Sequence, residues 1–305
     1  MRLIRQRSSQ LLKHKTMSIK QVLKDKKTQF TSAGILEVDA ELILAFVLGV
    51  ERMELHARDF DLDLEQIELL DELIAKRISG KPTQYLIGHA PFRYLTFQVG
   101  QGVLIPRPES EALVEAALIE IEKIHSMQGQ SSKTPVSIVD LGSGSGALAI
   151  CVAHEAEQKN WPVTVVAVEK SDAAIEWLKR NIAACDVSVR VISGDVLEVL
   201  EGVKCEIVIA NPPYVPDGDK LPELVIENEP REALFGGGAD GLEIPRRFIK
   251  AASILLKPGG LLIMEHHESQ SLLLEAELAK GYSEINLNCD LNNRPRWISA
   301  RREAE

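Results

Sequence analysis

No run of apolar residues in this chain of 305 approaches the length needed to span a bilayer, and no membrane partner is expected. The four cysteines, Cys151, Cys185, Cys205 and Cys289, form no CxxC pair and have no metal-ligand spacing. Each lies in or beside an apolar segment, as the reduced core cysteines of a cytoplasmic protein do, and no metal site is expected. Positive charge is also short: 45 Asp and Glu against 35 Lys and Arg leave a formal net charge of -10. That balance opposes phosphate-backbone binding as the main source of affinity, so a direct nucleic-acid substrate is not expected. No internal repeat or low-complexity tract is present. What remains, 45% hydrophobic and 26% charged, is an ordinary globular composition with length for one large domain and one small one.

The stretch from Met1 to Lys27 is rich in Lys and Arg and has one acid, Asp25, in the manner of a transit peptide or basic arm. Met17-Ser18-Ile19-Lys20 has the look of a start, so residues 1–16 are expected to be a disordered extension. Residues 17 to about 80 read as helical throughout. Ala40, Ile43, Leu44 and Val47 stand at helical spacing, Leu69, Leu70, Leu73, Ile74 and Ile78 repeat the pattern, and Gly49 and Gly80-Lys81-Pro82 punctuate it. A small helical domain over residues 17–84 is therefore expected. From Tyr85 to Ile105 the period shifts to two, and Phe97, Val99, Val103 and Leu104 around Gly100-Gln101-Gly102 predict a short hairpin, a linker over residues 85–105. The larger domain then occupies residues 106–305.

It opens on a helix whose apolar face is Leu113, Val114, Ala117, Leu118 and Ile121, with Glu109 and Glu111 near its N-terminus. Seven strands are expected near residues 136–141, 163–168, 187–192, 205–210, 260–266, 283–289 and 296–301. Helical stretches separate all but the last two. The fold class is thus α/β, a parallel sheet with an antiparallel hairpin at its edge, resembling the Rossmann-like, seven-stranded sheet of class I methyltransferases.

Two loops carry the chemistry. Gly142, Ser143, Gly144, Ser145 and Gly146 follow Val139-Asp140-Leu141 and precede Ala147-Leu148-Ala149-Ile150, a strand-turn-helix placement where small residues let a ligand approach the backbone. Glu169 ends the next strand, where a carboxylate can accept hydrogen bonds from both hydroxyls of a ribose. After the third strand, Asp195 can accept from an adenine amine and Val196 can pack on the ring, although an ordinary turn would look the same. Gly142-x-Gly144-x-x-Ala147 also satisfies the dinucleotide fingerprint, so this loop leaves NAD and S-adenosylmethionine both open. The second loop, Asn211-Pro212-Pro213-Tyr214, follows the apolar run Ile207-Val208-Ile209-Ala210. Neither proline has an N–H, so the backbone offers acceptors. Asn211 Oδ1 and the Pro212 carbonyl can each take one hydrogen of a planar NH2 group. An amide or an exocyclic amine is the target this favours.

These residues resemble the protein-glutamine methyltransferases that modify peptide chain release factors. The resemblance runs from about residue 36 and includes Asp39-Ala40-Glu41-Leu42, Leu104-Ile105-Pro106-Arg107-Pro108-Glu109-Ser110-Glu111, both loops, Glu229-Pro230-Arg231-Glu232-Ala233-Leu234, Gly237-Gly238-Ala239-Asp240-Gly241-Leu242 and Lys257-Pro258-Gly259-Gly260. It implies that residues Gly142 to Gly146 and Glu169 hold S-adenosylmethionine, with Asp195, Val196 and Asn211 beside it. It also implies that Asn211, Pro212, Pro213 and Tyr214 hold the glutamine of a Gly-Gly-Gln tripeptide, and that release factors are the partners. The Arg107 to Glu111 segment is closer to the release-factor branch than to the ribosomal-protein branch. Tyr214 is expected either to pack on the target group or to anchor the turn. Pro91 before Phe92, Val196 in place of an aromatic, and Glu265-His266-His267 depart from the family pattern, and no catalytic role is assigned to either histidine. Three other readings stay open: ribosomal-protein glutamine methylation, adenine-N6 methylation of nucleic acid, and a non-catalytic adaptor.

Overall fold

The computed structural model describes residues 18–59, 61–129, 134–198, 202–290 and 292–304; the extension expected over residues 1–16 lies outside the described residues. The chain divides into two compact units, Met1–Ile87 and Gly88–Glu305.

The first unit contains α1 (Ile19–Ser32), α2 (Glu37–Leu48), α3 (Glu54–Ala57), α4 (Leu64–Ile78) and α5 (Thr83–Ile87). Ile19, Val22, Leu23 and Phe30 of α1, Ile43 and Leu44 of α2, and Leu70, Leu73 and Ile74 of α4 share one buried core, as their helical spacing requires. A reciprocal capping box between Asp63 and Gln66 starts α4, satisfying two N–H groups that the helix itself leaves unpaired. Arg77 Nε donates to Asp39 Oδ2 at 2.7 Å and ties α4 to α2. The helices break at Gly49, which ends α2 in the left-handed conformation, and non-helical backbone also separates α1 from α2 and α3 from α4, where the sequence marked no break. Leu69 and Ile78 are 40% and 47% exposed. Leu69 stands about 100° around the helix from buried Leu70 and Ile78 is the last residue of α4, so neither shares the packed face.

The second unit begins with an antiparallel hairpin of β1 (His89–Phe92) and β2 (Leu95–Gln98). Its turn is Arg93-Tyr94, with Arg93 at φ 51°, and not the Gly100-Gln101-Gly102 segment expected from the sequence. Gly100 is a packing glycine: a Cβ there would lie 2.6 Å from the Trp177 ring. Residues 83–87 are helical rather than extended, which shortens the expected period-two segment from its start. Then come α6 (Glu111–Gln128), β3 (Val136–Leu141), α7 (Ala147–Gln158), β4 (Val163–Glu169), α8 (Asp172–Cys185), β5 (Val189–Ser193) and β6 (Cys205–Ala210). The chain continues through α9 (Glu223–Asn228), α10 (Glu243–Leu255), β7 (Leu256–Glu265), α11 (Ser271–Leu278), β8 (Tyr282–Cys289) and β9 (Pro295–Arg302).

The seven strands β3 to β9 make one sheet in the order β5-β4-β3-β6-β7-β9-β8. All neighbours are parallel except β9, which runs antiparallel to both β7 and β8. Helices cover the parallel strands, so β3 and β6 are largely apolar, with Val139, Leu141, Val208 and Ala210 fully buried. After β3 the chain winds one way, to β4 and β5; after β6 it winds the other way, to β7. The carboxyl ends of adjacent β3 and β6 therefore flank a crevice at the topological switch point, where open α/β sheets bind ligands. Among the described residues, no helix is long and apolar enough to cross a membrane.

Candidate active site

The glycine loop leaves β3 at Leu141 with Gly142, Gly144 and Gly146 at φ 68°, 55° and 86°, a region that side chains disfavour. Two of the three glycines are fixed by packing as well. A Cβ on Gly146 would lie 2.4 Å from Leu178 Cδ1 and one on Gly142 would lie 3.0 Å from the Phe248 ring. The N–H groups of Gly142 and Ser143 both donate to the Val168 carbonyl, at 2.9 and 3.0 Å, so the loop is pinned across the end of β4. Beneath it Asp140 is fully buried; its Oδ2 accepts from Ala149 N–H at 3.2 Å, while Oδ1 is buried with no hydrogen-bond partner among the described residues. Burial pushes the Asp140 carboxyl up to about 7.

Glu169, at the end of β4, is 8% exposed. Its Oε1 accepts from the N–H groups of Lys170 and Ser171 at 2.9 and 2.8 Å, and its Oε2 accepts from Gly144 N–H at 2.8 Å. A carboxylate has about four acceptor positions. Glu169 thus keeps an acceptor position free of backbone bonds. Asp195 accepts from Arg247 Nη2 at 2.8 Å through both oxygens, and from Leu197 N–H at 3.0 Å.

These groups line a cleft of about 1100 Å³, its open mouth included. Gly142, Ser143, Gly144, Ser145, Glu169, Asp195, Val196, Asn211 and Pro213 are all on its wall, with Leu148, Ile244 and Phe248 among its apolar surfaces. Gly146, Pro212 and Tyr214 are not. Gly146 turns the chain into α7, and Pro212 is buried. Tyr214 is anchored: its N–H donates to the Leu234 carbonyl at 3.1 Å, its carbonyl accepts from Gln270 Nε2 at 2.7 Å, and its hydroxyl donates to Glu265 Oε1 at 2.9 Å. These bonds hold the turn through the backbone and hydroxyl of Tyr214.

The Asn211 side of the cleft contains groups that the sequence named without giving them a role. Asn211 Nδ2 donates to Ser110 Oγ at 2.9 Å, and Ser110 Oγ donates to Glu265 Oε2 at 2.5 Å. Glu265 ends β7 at 1% exposure; burial raises its carboxyl, opposed by the hydrogen bonds from Ser110 and Tyr214 and by the charge of Arg296. A charged residue closing the apolar strand Leu261-Leu262-Ile263-Met264 was the available signal. Arg107 pairs with buried Glu229 at 2.5 Å, and Ile105 N–H donates to the same carboxylate at 3.2 Å. This pair ties the segment entering α6 to the Pro230-Arg231-Glu232-Ala233 stretch, and Arg107, Pro230, Glu232 and Ala233 line the cleft together. His266 is a buried strand-end residue whose Nδ1 bonds the His267 carbonyl at 2.8 Å.

Comparison with known proteins follows the same division of the chain. A family model described as Methyltransferase small domain matches residues 126–238, and one described as PrmC N-terminal domain matches residues 21–88. The release factor glutamine methyltransferase of Mycolicibacterium smegmatis is 38% identical over 280 residues, covering 90% of this chain and 94% of that one. That of Bifidobacterium longum is 36% identical over 309 residues, covering 93% and 99%. That of Streptomyces coelicolor is 36% identical over 274 residues, covering 87% and 90%.

The winding of the sheet, the glycine loop and the cleft at the switch point define a class I methyltransferase, an enzyme that takes its methyl group from S-adenosylmethionine. The residues present fit that donor: Gly142 and Gly144 leave the loop backbone clear, Glu169 Oε2 has an acceptor position to spare, and Val196 and Phe248 offer apolar surface for a flat ring. Within the class, the chain belongs to the release factor glutamine methyltransferase family.

Proposed function

We propose that this enzyme methylates the side-chain amide nitrogen of the glutamine in the Gly-Gly-Gln motif of peptide chain release factors, in the cytoplasm. The observation that carries the reading is the state of Asn211. It lines the cleft with Nδ2 engaged by Ser110, which leaves Oδ1 as the end of its amide available to a donor such as a glutamine NH2. The Pro212 carbonyl is the proposed second acceptor, and Pro213 stiffens the turn and walls the cleft. Gly142 to Gly146, Glu169, Asp195 and Val196 are the proposed cofactor residues. The helical segment 17–84 is the proposed dock for the protein substrate, since the larger domain supplies both the donor and the acceptor pocket.

An amide nitrogen is a poor nucleophile because its lone pair is delocalised into the carbonyl. When bound, S-adenosylmethionine supplies an electrophilic methyl on sulfur. Asn211 Oδ1 and the Pro212 carbonyl hold the two hydrogens and so aim the nitrogen lone pair at that methyl. Orientation of this kind supplies on the order of 7 to 11 kcal/mol. The same two acceptors favour the positive charge that gathers on nitrogen as the C–N bond forms and the C–S bond breaks. The methylated amide, still carrying both hydrogens, is strongly acidic and loses one to water, so no general base is needed.

The net charge of -10 supports a protein over a nucleic-acid acceptor. Incubation with isotopically labelled S-adenosylmethionine, followed by peptide mass spectrometry of a release factor, a ribosomal-protein fraction and nucleic acid, tests the reading directly. A single methyl on the Gly-Gly-Gln glutamine is the expected result. Labelled adenine beside an unmodified release factor would overturn it.

A further inference from the structure

We propose that Ser110 and Glu265 form a positioning relay that fixes which end of the Asn211 amide faces the acceptor, and so selects a carboxamide over a carboxylate at the methylated position. The inference rests on the glutamine reading above and adds the means of choosing the substrate.

The two ends of an asparagine amide have nearly the same size and opposite polarity. Shape alone therefore leaves Asn211 free to present either an acceptor or a donor to the cleft. Its neighbours remove the choice. A hydroxyl has one hydrogen, and Ser110 commits its own to Glu265 Oε2 at 2.5 Å. Toward Asn211 it has only lone pairs left, so the nearby end of the amide must be Nδ2, which donates at 2.9 Å. Glu265 holds the other end of the chain. Its Oε1 accepts from the Tyr214 hydroxyl at 2.9 Å, and the two donated hydrogen bonds and the nearby Arg296 charge favour the ionised carboxylate, which has no hydrogen to return to Ser110.

The polarity then runs one way, from Asn211 through Ser110 to Glu265, with Tyr214 closing it from the far side. Ser110 and Glu265 are 4% and 1% exposed, so water does not compete for these bonds. The four groups come from three places in the second unit, the entry to α6, the end of β7 and the loop after β6. The consequence is chemical. A glutamine has an NH2 to give to Asn211 Oδ1. A glutamate has none and meets an oxygen with an oxygen, whereas a reversed Asn211 would offer Nδ2 and welcome it.

The test uses the full chain, a release factor carrying Gly-Gly-Gln as substrate, the same factor carrying Gly-Gly-Glu as competitor, and S-adenosylhomocysteine as the probe of the cofactor pocket. Ser110→Ala is expected to lower kcat roughly 10- to 100-fold, the cost of an oriented polar group left without its partner. It is also expected to leave S-adenosylhomocysteine affinity unchanged and to strengthen inhibition by the Gly-Gly-Glu factor relative to binding of the Gly-Gly-Gln factor. Ser110→Thr keeps the hydroxyl and restores both readouts. Glu265→Gln places an NH2 in the relay, releases the Ser110 hydrogen, and moves the preference in the same direction as Ser110→Ala. Wild-type kcat and unchanged Gln-over-Glu preference in Ser110→Ala would overturn the relay while the glutamine reading stands. Equal losses in turnover, both factor affinities and S-adenosylhomocysteine affinity, unrescued by Ser110→Thr, would reduce Ser110 to a structural role and overturn it too. If the wild-type enzyme leaves the factor unmodified, the glutamine reading falls and the relay falls with it.

Discussion

The two sides of the cleft, the proposed donor side at the glycine loop and the proposed acceptor side at Asn211, are built from different material. The donor side is mostly backbone: the glycine loop pinned to Val168, and Glu169 saturated on three sides by the N–H groups of Gly144, Lys170 and Ser171. The acceptor side is a chain of side chains, Asn211, Ser110, Glu265 and Tyr214, in which each link depends on the polarity of the next. A backbone cradle holds its ligand through many small, redundant contacts. A side-chain relay concentrates its effect in a few atoms, so the acceptor side is the one that single substitutions should break. The largest expected effect is accordingly at Asn211. Asn211→Ala removes one of the two acceptors and should cut kcat roughly 10²- to 10³-fold. Calorimetry with S-adenosylhomocysteine should still show binding, and loss of both together would mean that Asn211 belongs to the donor side as much as to the acceptor side.

The donor side also has a titratable group beneath its loop, and pH sharpens the contrast there. The folded Asp140 carboxyl, raised to about 7 by burial, holds a proton that the unfolded chain releases above its ordinary value of about 3.9. The folded state therefore binds more protons than the unfolded state between those values. This group's contribution to stability is fully present below about pH 4, declines as pH rises at about 1.4 kcal/mol per unit, and is lost above about pH 7. Asp140→Asn removes the titration. Denaturant unfolding of both proteins should show the wild type losing about 2 to 3 kcal/mol relative to the variant between pH 5 and pH 8. An equal gap at both pH values would mean that Asp140 is ionised throughout.

Glu169→Gln should act next most strongly, and on binding rather than chemistry. The glutamine amide can keep the Lys170 and Ser171 bonds with its oxygen but then turns an NH2 toward Gly144 N–H, donor against donor. A lost bond of this kind typically costs about 1 to 3 kcal/mol, so cofactor affinity should fall roughly 10- to 100-fold while kcat at saturating cofactor stays within a few-fold. A fall in kcat without a fall in affinity would move Glu169 to the reacting centre.

The same difference in material decides what could be read in advance. The glycine loop is legible because its geometry is local: the end of β3, a turn of small residues and a helix start lie within a dozen positions, and Gly142 to Gly146 carry the backbone angles themselves. The strands were legible from apolar runs, and the short connection between β8 and β9 announced the antiparallel edge. The relay was not, because Ser110 lies 101 positions from Asn211 and 155 from Glu265, and no local pattern marks residues that meet only when α6, β6 and β7 are in place. The misplaced hairpin turn has a related cause. Glycine at position 100 meets a requirement set by Trp177 on a different element, and read locally it imitates a turn.

Arg247 tests the weak end of the donor side. It donates to both oxygens of Asp195 at 2.8 Å, but its side chain is 45% exposed and that of Asp195 is 25% exposed. Such a pair gains little over water and loses more as salt rises, typically contributing about 0.2 to 1 kcal/mol. Asp195 also keeps an independent bond from Leu197 N–H, which holds its carboxylate near its place when the arginine is gone. Arg247→Ala should therefore weaken cofactor binding by less than about fivefold, and the gap from wild type should shrink further between 50 mM and 500 mM salt. A loss comparable to that of Glu169→Gln, unchanged by salt, would show that Arg247 contacts the cofactor itself and that one part of the backbone-built side works, like the acceptor side, through a single side chain.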